Sequence, residues 1–128
     1  MLKVSAINLL VDDYQQALEF YRDKLGFYVI DDISMDDHRW LTVSPESSGI
    51  LKVIINKAET AQQKAAVGNQ TGGCVLAILQ TDNFDEKYQA MLNAGVEFCE
   101  KPREEEYGTV VIFKDLYGNK WDLIELTH

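Results

Sequence analysis

The sequence predicts an α+β fold made of two tandem βαβββ modules. One strand, one helix and three strands occur in this order twice along the 128 residues. The two copies also share a spacing, because Asp13 and Gly26 are 13 positions apart and so are Asp82 and Gly95. A sheet with one helix buries only one of its faces. We therefore expect the modules to form a curved mixed sheet with helices outside and an inner cleft, where ligands commonly bind.

The first module opens with an apolar strand, Val4–Val11. Asp13 and Gln16 have capping-box spacing, and Gly26 supplies a C-terminal stop. Between them, apolar residues at helical spacing form one face of an amphipathic helix: Tyr14, Ala17, Leu18, Tyr21 and Leu25. Three β-rich runs separated by turn residues then predict the remaining strands: Phe27–Ile33, Arg39–Ser44 and Ile50–Asn56.

The second module repeats this order. Val75–Thr81 is predicted as a strand, Asn83 and Glu86 again have capping-box spacing, and Gly95 ends the helix. The helical stripe consists of Phe84, Tyr88, Met91 and Leu92. Three strands follow: Val96–Glu100, Thr109–Phe113 and Lys120–Leu126.

The segment between the modules is rich in Ala, Gln and Gly. Ala58–Val67 favours a short helix by propensity, and Gly68, Gly72 and Gly73 predict a flexible joint. We therefore expect a single domain over residues 1–128, with module one at about 1–57, a linker at about 58–73 and module two at about 74–128.

The charge balance narrows the classes of partner. Twelve Lys and Arg against 21 Asp and Glu give a net charge of −9. Such a chain lacks the clustered cations that nucleic acids require and is disfavoured at an anionic membrane surface, whereas a cationic ligand is compatible with it. The sequence shows no signal peptide and no apolar run approaching the roughly 20 residues of a membrane-spanning helix, so we expect a cytoplasmic protein.

The two cysteines, Cys74 and Cys99, lie in apolar β-like runs. Their number and spacing indicate neither a disulfide framework nor a CxxC zinc site. We therefore expect two buried thiols in a reducing compartment.

Asp122 is the most informative acid because it lies within the apolar run Lys120–Leu126. A carboxylate in an apolar strand costs free energy unless a metal, a lysine or a ligand pairs with it. The strand before it, Thr109–Phe113, connects to this one through Asp115–Asn119, where Gly118 and Asn119 favour a hairpin turn.

Several segments together resemble those of a known family: Val11–Phe27, Arg39–Pro45, Thr81–Phe98, Pro102–Gly108 and Phe113–Leu123. The chain resembles the vicinal oxygen chelate superfamily, which includes glyoxalase I, bleomycin-resistance proteins and extradiol dioxygenases. The resemblance implies paired βαβββ modules forming U-shaped half-barrels in a homodimer. In the enzymes it implies a divalent metal held by His, Glu or Gln from the first and last strand of each module. One fold hosts many reactions, so the resemblance identifies the fold better than the activity.

The metal-ligand positions implied by the resemblance fall on Ala6, Lys52, Leu76 and Asp122. Ala6 and Leu76 have no donor atom. Lys52 is expected to face the cleft, because Leu51, Val53 and Ile55 alternate with it as an apolar face, and a protonated lysine repels a cation. One carboxylate does not make a tight site, so we expect no metal cofactor. The alternative is a divalent metal site formed by His38, Asp122 and nearby acids. The structural interpretation is that His38 and His128 are solvated surface histidines.

Two interpretations are open for the polar and aromatic candidates. Lys52 and Asp122 could pair across the cleft, or Lys52 could extend to solvent while Asp122 is hydrated. Asn8, Trp40 and Tyr107 could line the cleft, where rings suit planar ligands, or pack in the core or a dimer interface. The acidic pairs Asp12–Asp13, Asp31–Asp32 and Asp36–Asp37 and the run Glu104–Glu106 are interpreted as solvated loop charge, with a rim for a cationic ligand as the sharper alternative.

For function, the sequence favours a metal-independent small-molecule-binding protein resembling the bleomycin-resistance branch. The expected ligand is a small organic molecule, cationic or planar. The candidate binding residues are Asn8, His38, Trp40, Lys52, Tyr107 and Asp122. The alternatives are a lyase, isomerase or dioxygenase resembling glyoxalase I, in which a metal with unusual ligands acts as a Lewis acid, or a metal-free enzyme with Asp122 as the catalytic general base.

Overall fold

The computed structural model describes residues 1–127, so His128 lies outside the described residues. Contacts along the chain group it into two units, Met1–Val67 and a second unit that begins at Gly68. The division falls within the segment expected to be a linker. No helix in the described part of the chain is long and apolar enough to cross a membrane.

The first unit has the predicted strand-helix-strand-strand-strand order. The helix α1 begins as α-helix and continues as one π-helical segment, Phe20–Lys24, before the chain enters the second strand. The elements are β1 (Ala6–Val11), α1 (Tyr14–Glu19), β2 (Tyr28–Met35), β3 (His38–Ser44), β4 (Lys52–Lys57) and a short α2 (Ala61–Ala66).

The second unit repeats this order with one additional strand. The predicted run Val96–Glu100 shortens to a two-residue strand, and an unpredicted strand forms at Arg103–Glu105, while Lys120–Leu126 is a strand at its predicted bounds. The elements are β5 (Ala77–Gln80), α3 (Phe84–Asn93), β6 (Glu97–Phe98), β7 (Arg103–Glu105), β8 (Gly108–Lys114) and β9 (Lys120–Leu126).

The two sheets share one topology. Their strand orders are β1-β4-β3-β2 and β5-β9-β8-β6, with β7 also paired to β8. The first and last strands of each module, β1 with β4 and β5 with β9, are parallel, and the other neighbours are antiparallel. Two mixed sheets, each crossed by a helix after its first strand, confirm the predicted α+β fold of tandem βαβββ modules.

The core of the first unit lies on one face of its sheet. The helical stripe is confirmed, because Ala17, Leu18, Tyr21 and Leu25 are all buried. They pack with buried residues of the strands, namely Leu41, Val43, Val53 and Ile55. Each such aliphatic side chain contributes about 1.5–3 kcal/mol when it leaves water. The predicted role of Asp13 is wrong in one respect: its side chain makes no capping hydrogen bond, although its carbonyl accepts from the Ala17 amide.

The core of the second unit is built around aromatic rings. Trp121 is 2% exposed and stacks on Phe113, with the ring centroids 6.4 Å apart. The predicted cap of α3 is confirmed, because the Asn83 side chain accepts a hydrogen bond from the Glu86 amide. A second acceptor at the start of this helix was not predicted: Glu125 Oε1 on β9 accepts from the Phe84 amide at 2.6 Å.

The predicted hairpin between β8 and β9 is confirmed. The Asp115 carboxylate accepts hydrogen bonds from the backbone amides of Tyr117 and Asn119, each at 2.9 Å, and from the Asn119 side-chain amide at 2.8 Å. Gly118 has a φ of 99°, which L side chains rarely adopt. The buried carboxylate therefore holds the turn by satisfying three donors at once.

The expectation of buried thiols is wrong. Cys74 and Cys99 are both exposed and free. Cys74 lies in a turn before β5 begins, and Cys99 follows the two residues of β6. Cys74 precedes β5, which begins only at Ala77, and Cys99 follows β6 although its amide still donates to the Ile112 carbonyl at 2.9 Å, so neither thiol is buried in the core.

The glycine-rich segment, which the sequence predicts as a flexible joint, contains glycines in different surroundings. Gly68 has a φ of 77° and lies against the backbone carbonyl of Tyr117, where a Cβ atom would overlap that oxygen. Gly72 has a similar φ of 69°, but among residues 1–127, its two chain neighbours aside, no atom lies within 4 Å of the place that a Cβ atom would take there. Close packing therefore requires glycine at Gly68, whereas only backbone conformation favours it at Gly72.

We expect Gly68→Ala to destabilise the protein by about 2–4 kcal/mol, because it adds a backbone overlap to the cost of positive φ. Gly72→Ala is the matched control and should lose only the conformational term, about 1 kcal/mol. Urea denaturation of the two variants measures both losses. Equal losses would show that the contact with Tyr117 contributes nothing.

Candidate functional site

The first sheet has a face that its own helix does not cover. Strand register places Ala6 beside Lys52 on this face, Asn8 beside Ile54, and Ile54 beside Thr42. Val53 and Ile55 point to the helix side and are at most 3% exposed. The predicted alternation around Lys52 is therefore confirmed for these two residues. It is wrong for Leu51, which precedes β4 and is 37% exposed.

A pocket of about 550 Å³ opens on this face. This volume falls within the usual range for sites that enclose small organic molecules. Three kinds of side chain line it: the indole of Trp40, the apolar groups of the strands, and the polar groups of two lysines and two serines. The lining residues are Lys3, Ser5, Ala6, Trp40, Ser48, Gly49, Ile50, Lys52 and Ile54.

A polar network holds Lys52 in place. Its Nζ donates to Asp31 Oδ2 at 3.0 Å. The Thr42 hydroxyl donates to the same oxygen at 2.6 Å and accepts from the Asp31 backbone amide at 3.1 Å. Thr42 is fully buried, so its hydroxyl would be costly without these bonds. The ion pair is therefore one part of a network that also satisfies a buried hydroxyl.

The network lowers the pKa of Asp31. The largest cause is the hydrogen bond from Thr42, followed by that from Lys52, and the Trp40 side chain adds a smaller donor contribution. Burial acts in the opposite direction but is outweighed. Asp31 therefore remains ionised well into the acid range, and Lys52 keeps an anionic partner at neutral pH.

A β-bulge in β2 places Asp31 on the face of the sheet that carries Lys52. Val29 pairs with Val43, but the next pair is Asp31 with Thr42, so Ile30 is an extra residue in β2. Without the bulge, Asp31 would lie opposite Leu41, which is fully buried on the core side. The extra residue thus moves the carboxylate from the core face to the face that carries Lys52.

Of the six candidate binding residues, the structure brings Trp40 and Lys52 together in the pocket. Asn8 and His38 belong to the same unit but are not among the residues that line it. Asn8 Oδ1 accepts from the Asn56 side-chain amide at 2.7 Å, and His38 Nδ1 lies 3.3 Å from the Tyr14 hydroxyl. His38 is exposed, as its surface interpretation predicts.

The other two candidates, Tyr107 and Asp122, belong to the second unit. Tyr107 lies in the turn between β7 and β8 and is 51% exposed, and its carbonyl accepts from the Thr127 amide at 3.0 Å. The pairing of Lys52 with Asp122 stays a prediction. The partner that the structure shows for Lys52 is Asp31.

Asp122 lies on β9 between Ile78 and Ile112 on the neighbouring strands. Its Oδ1 atom is buried and has no hydrogen-bond partner among residues 1–127. Burial raises the pKa of Asp122; Arg103 opposes this effect and Glu100 adds to it. Arg103 is itself held by Glu100 at 2.9 Å and Glu105 at 2.6 Å.

The donor set implied by the resemblance does not fit a divalent cation. Ala6 and Leu76 offer no ligand atom, and Lys52 is a cation already bonded to Asp31. Leu76 is also not the direct neighbour of Asp122, because Ile78 takes that place. Within the described residues, no three His, Cys, Asp or Glu side chains converge in a way that could hold a metal ion.

The interpretation of two acidic segments as loop charge is wrong. Asp31 and Asp32 lie within β2, and Asp32 pairs with Arg39 through bonds of 2.8 Å. Glu104 and Glu105 lie in β7. Asp31 is the functional residue that the sequence analysis did not select, although it lies within the predicted strand Phe27–Ile33 just as Asp122 lies within Lys120–Leu126.

The chain folds as two tandem βαβββ modules, and one sheet carries a pocket large enough for a small molecule. Comparison with known proteins identifies the class to which such a chain belongs. Residues 3–123 match the Glyoxalase/Bleomycin resistance protein/Dioxygenase superfamily. An uncharacterised protein of Shewanella frigidimarina is 43% identical over 122 residues, which cover 94% of this chain and 90% of the relative. YetH of Bacillus subtilis is 31% identical over 127 residues, which cover 96% and 98%. The chain belongs to this superfamily.

Solved structures agree with this assignment. The crystal structure of UcmS2 matches with a TM-score of 0.85 and 28% identity, covering 97% of this chain and 98% of that one. TnmS3, an antibiotic binding protein from Streptomyces sp. CB03234, matches with a TM-score of 0.81 and 22% identity, covering 99% and 98%. At that identity the likeness to TnmS3 shows the shared fold alone.

We expect Asp122→Asn to stabilise the protein near pH 7 by about 0.5 kcal/mol, a value discounted for the solvent that still reaches the carboxyl group. Because burial raises its pKa, ionised Asp122 costs stability once the pH exceeds the unfolded value of about 4. The gain should therefore vanish as the pH falls towards that value. Urea denaturation across this pH range measures it.

Asp32→Asn is the control of opposite sign. The hydrogen bond from Arg39 lowers the pKa of Asp32, so the ionised carboxylate stabilises the fold. Its removal should destabilise near pH 7, with the loss shrinking as the pH falls through the lowered pKa. A destabilised Asp122→Asn variant at pH 7 would contradict the assigned cost of burial.

Proposed function

We propose that this protein binds a small organic molecule without a metal ion, in the pocket on the open face of its first sheet. The observation that carries this proposal is the arrangement of Trp40 and Lys52. They line one pocket, and Lys52 is held by an ion pair with Asp31, whose carboxylate also accepts a hydrogen bond from Thr42. A pocket of this size with one aromatic wall and a few placed polar groups is typical of ligand sites.

The aromatic wall supports a ligand with a flat part. Trp40 is half-buried, so part of its indole is open to the pocket. An indole ring offers a large contact area and loses little conformational freedom on binding. Ala6, Ile50 and Ile54 add apolar surface beside it. Contact with these groups would supply the affinity, and the polar groups would set the orientation.

Metal independence is supported by the chemistry of the side chains. A cation at the position of Lys52 would face an ammonium group, and neither Ala6 nor Leu76 supplies an oxygen or nitrogen ligand. Catalytic zinc usually takes three protein ligands, whereas the implied set retains only Asp122. The pocket therefore relies on direct contacts with the organic ligand.

The shared fold supports the same class of function, since TnmS3 is an antibiotic binding protein. Because that likeness shows the fold alone, the proposal rests on the pocket of this chain. The homodimer implied by the family resemblance stays a prediction.

Binding can be followed at the two tryptophan indole N–H resonances in ¹H–¹⁵N NMR spectra. Trp40 lines the pocket, whereas Trp121 is 2% exposed in the core of the second unit and serves as an internal reference. We expect planar members of a fragment library to shift the Trp40 resonance and leave that of Trp121 in place. In ligand-observed NMR titrations, which do not need the Trp40 resonance, Trp40→Ala should weaken those fragments by about tenfold or more, which corresponds to about 1.4 kcal/mol.

Tyr28→Ala is the matched control, because Tyr28 is an exposed aromatic residue on the same sheet outside the pocket lining. It should leave fragment binding unchanged. If no fragment shifts the Trp40 resonance, or if both variants weaken binding equally, the pocket is not the binding site.

Metal independence has its own test. We expect elemental analysis of the purified protein to show no stoichiometric Ni, Zn, Fe or Mn, and these divalent ions to leave the melting temperature unchanged. A metal present at about 100 times its Kd would stabilise the folded state by about 2.7 kcal/mol, a shift of several degrees. A stabilisation of that size would overturn this part of the proposal.

A further inference from the structure

The pocket on the first sheet has a cationic lining in an acidic protein. Lys3 and Lys52 both line it, and within the described part of the chain its lining contains no Asp or Glu. The chain as a whole carries a net charge of −9. Positive groups therefore concentrate at the surface that a ligand would meet, although the protein has far more acids than bases.

Asp31 is not among the lining residues, but its Oδ2 atom lies 3.0 Å from Lys52 Nζ, so this ion pair partly offsets the charge of Lys52 while Lys3 adds a second cation to the lining. The Asp31 Oδ2 atom accepts from both Thr42 and Lys52. The bond to Asp31 uses one of the three N–H donors that an ammonium group carries. Two N–H donors of Lys52 therefore remain for a ligand. The Asp31 carboxylate already accepts hydrogen bonds from Thr42 and Lys52.

The other polar groups of the lining suit the same ligand chemistry. The hydroxyl groups of Ser5 and Ser48 can donate hydrogen bonds to an oxyanion. A cationic ligand would instead be placed beside the ammonium groups of Lys3 and Lys52, and the nearby Asp31 carboxylate is already bonded to Lys52 and Thr42. Like charges in a partly desolvated pocket repel, so the lining disfavours the cationic ligand that the net charge suggests.

We propose that the ligand of this pocket is a planar organic anion, a flat ring system that carries a carboxylate, phenolate or sulfonate group. The ring would lie against Trp40, and the anionic group would accept charge-assisted hydrogen bonds from Lys52, with Lys3 nearby. This inference rests on the proposed function and adds the charge of the ligand to it.

Three probes of similar shape and different charge test the inference: naphthalene-2-carboxylate, naphthalene-2-carboxamide and naphthalen-2-ylmethylammonium. Isothermal titration calorimetry of the full chain with each probe measures the affinities. We expect the carboxylate to bind about tenfold tighter than the ammonium probe, with the carboxamide between them. The advantage of the carboxylate should shrink as the salt concentration rises.

Lys52→Met keeps the apolar stem and removes the charge. It should weaken the carboxylate about tenfold and leave the carboxamide within about twofold. Lys114→Met is the matched control: Lys114 is 38% exposed and paired with Glu97 on the second unit, and Lys52 is 35% exposed and paired with Asp31. It changes the net charge equally and should change no affinity. Lys3→Met is a second test that leaves the Asp31 pair intact, and it should weaken the carboxylate alone.

The outcomes separate this inference from the proposed function. Equal affinity for the three probes, all lost in Trp40→Ala, would overturn the anionic ligand and leave small-molecule binding in place. If the ammonium probe binds most tightly, the anionic ligand is likewise overturned and small-molecule binding stays in place. If none of the three probes binds up to about 1 mM, which corresponds to a binding free energy near −4 kcal/mol, the inference is also overturned. The proposed function is tested separately by the fragment library.

Discussion

Each sheet of this protein is covered by one helix on one face, and this one-sided burial shapes the rest of the molecule. Side chains alternate between the faces of a strand, so the apolar set of β3 and β4 can be buried against α1 only if the intervening residues point away. Those residues include Thr42, Lys52 and Ile54. The face that does not pack on a helix is therefore where polar side chains can be held without disturbing the core.

The polar face of the first sheet depends on a change of register in its edge strand. A strict alternation along β2 would place Ile30 towards the pocket side and Asp31 towards the core. A carboxylate in the core would require a partner that the apolar side of the sheet does not supply. The bulge at Ile30 resolves this conflict and brings Asp31 to Thr42 and Lys52. The bulge in β2 is therefore what allows Asp31 to form its ion pair with Lys52.

The order of elements could be read from the sequence, because it depends on periodicities and turn residues that act locally. The bounds of β9, the cap of α3 at Asn83 and the hairpin at Gly118 were all predicted. The orientation of Lys52 also followed from alternation. The network around it did not, because a bulge inverts the alternation and leaves no periodic signal before the partner strand is known.

Other misses have the same origin in tertiary context. Cys74 and Cys99 lie in apolar runs, but whether a run is paired to its end depends on the neighbouring strand. The close approach of Gly68 to Tyr117 joins two residues that are far apart along the chain, which local spacing cannot indicate. Local patterns therefore predicted the elements, and pairing between distant segments decided their ends and the environments of single side chains.

Net charge is a weak guide to the charges that line a pocket, because charges in a protein act over short distances. At physiological salt an exposed charge is screened within about 8 Å, so a ligand responds to the groups that line its site. Several acids of this chain are also engaged by bases: Asp32 with Arg39, and Glu100 and Glu105 with Arg103. Asp31 is oriented towards donors of its own sheet. An acidic chain can in this way line a pocket with two lysines although acids outnumber bases in the whole sequence.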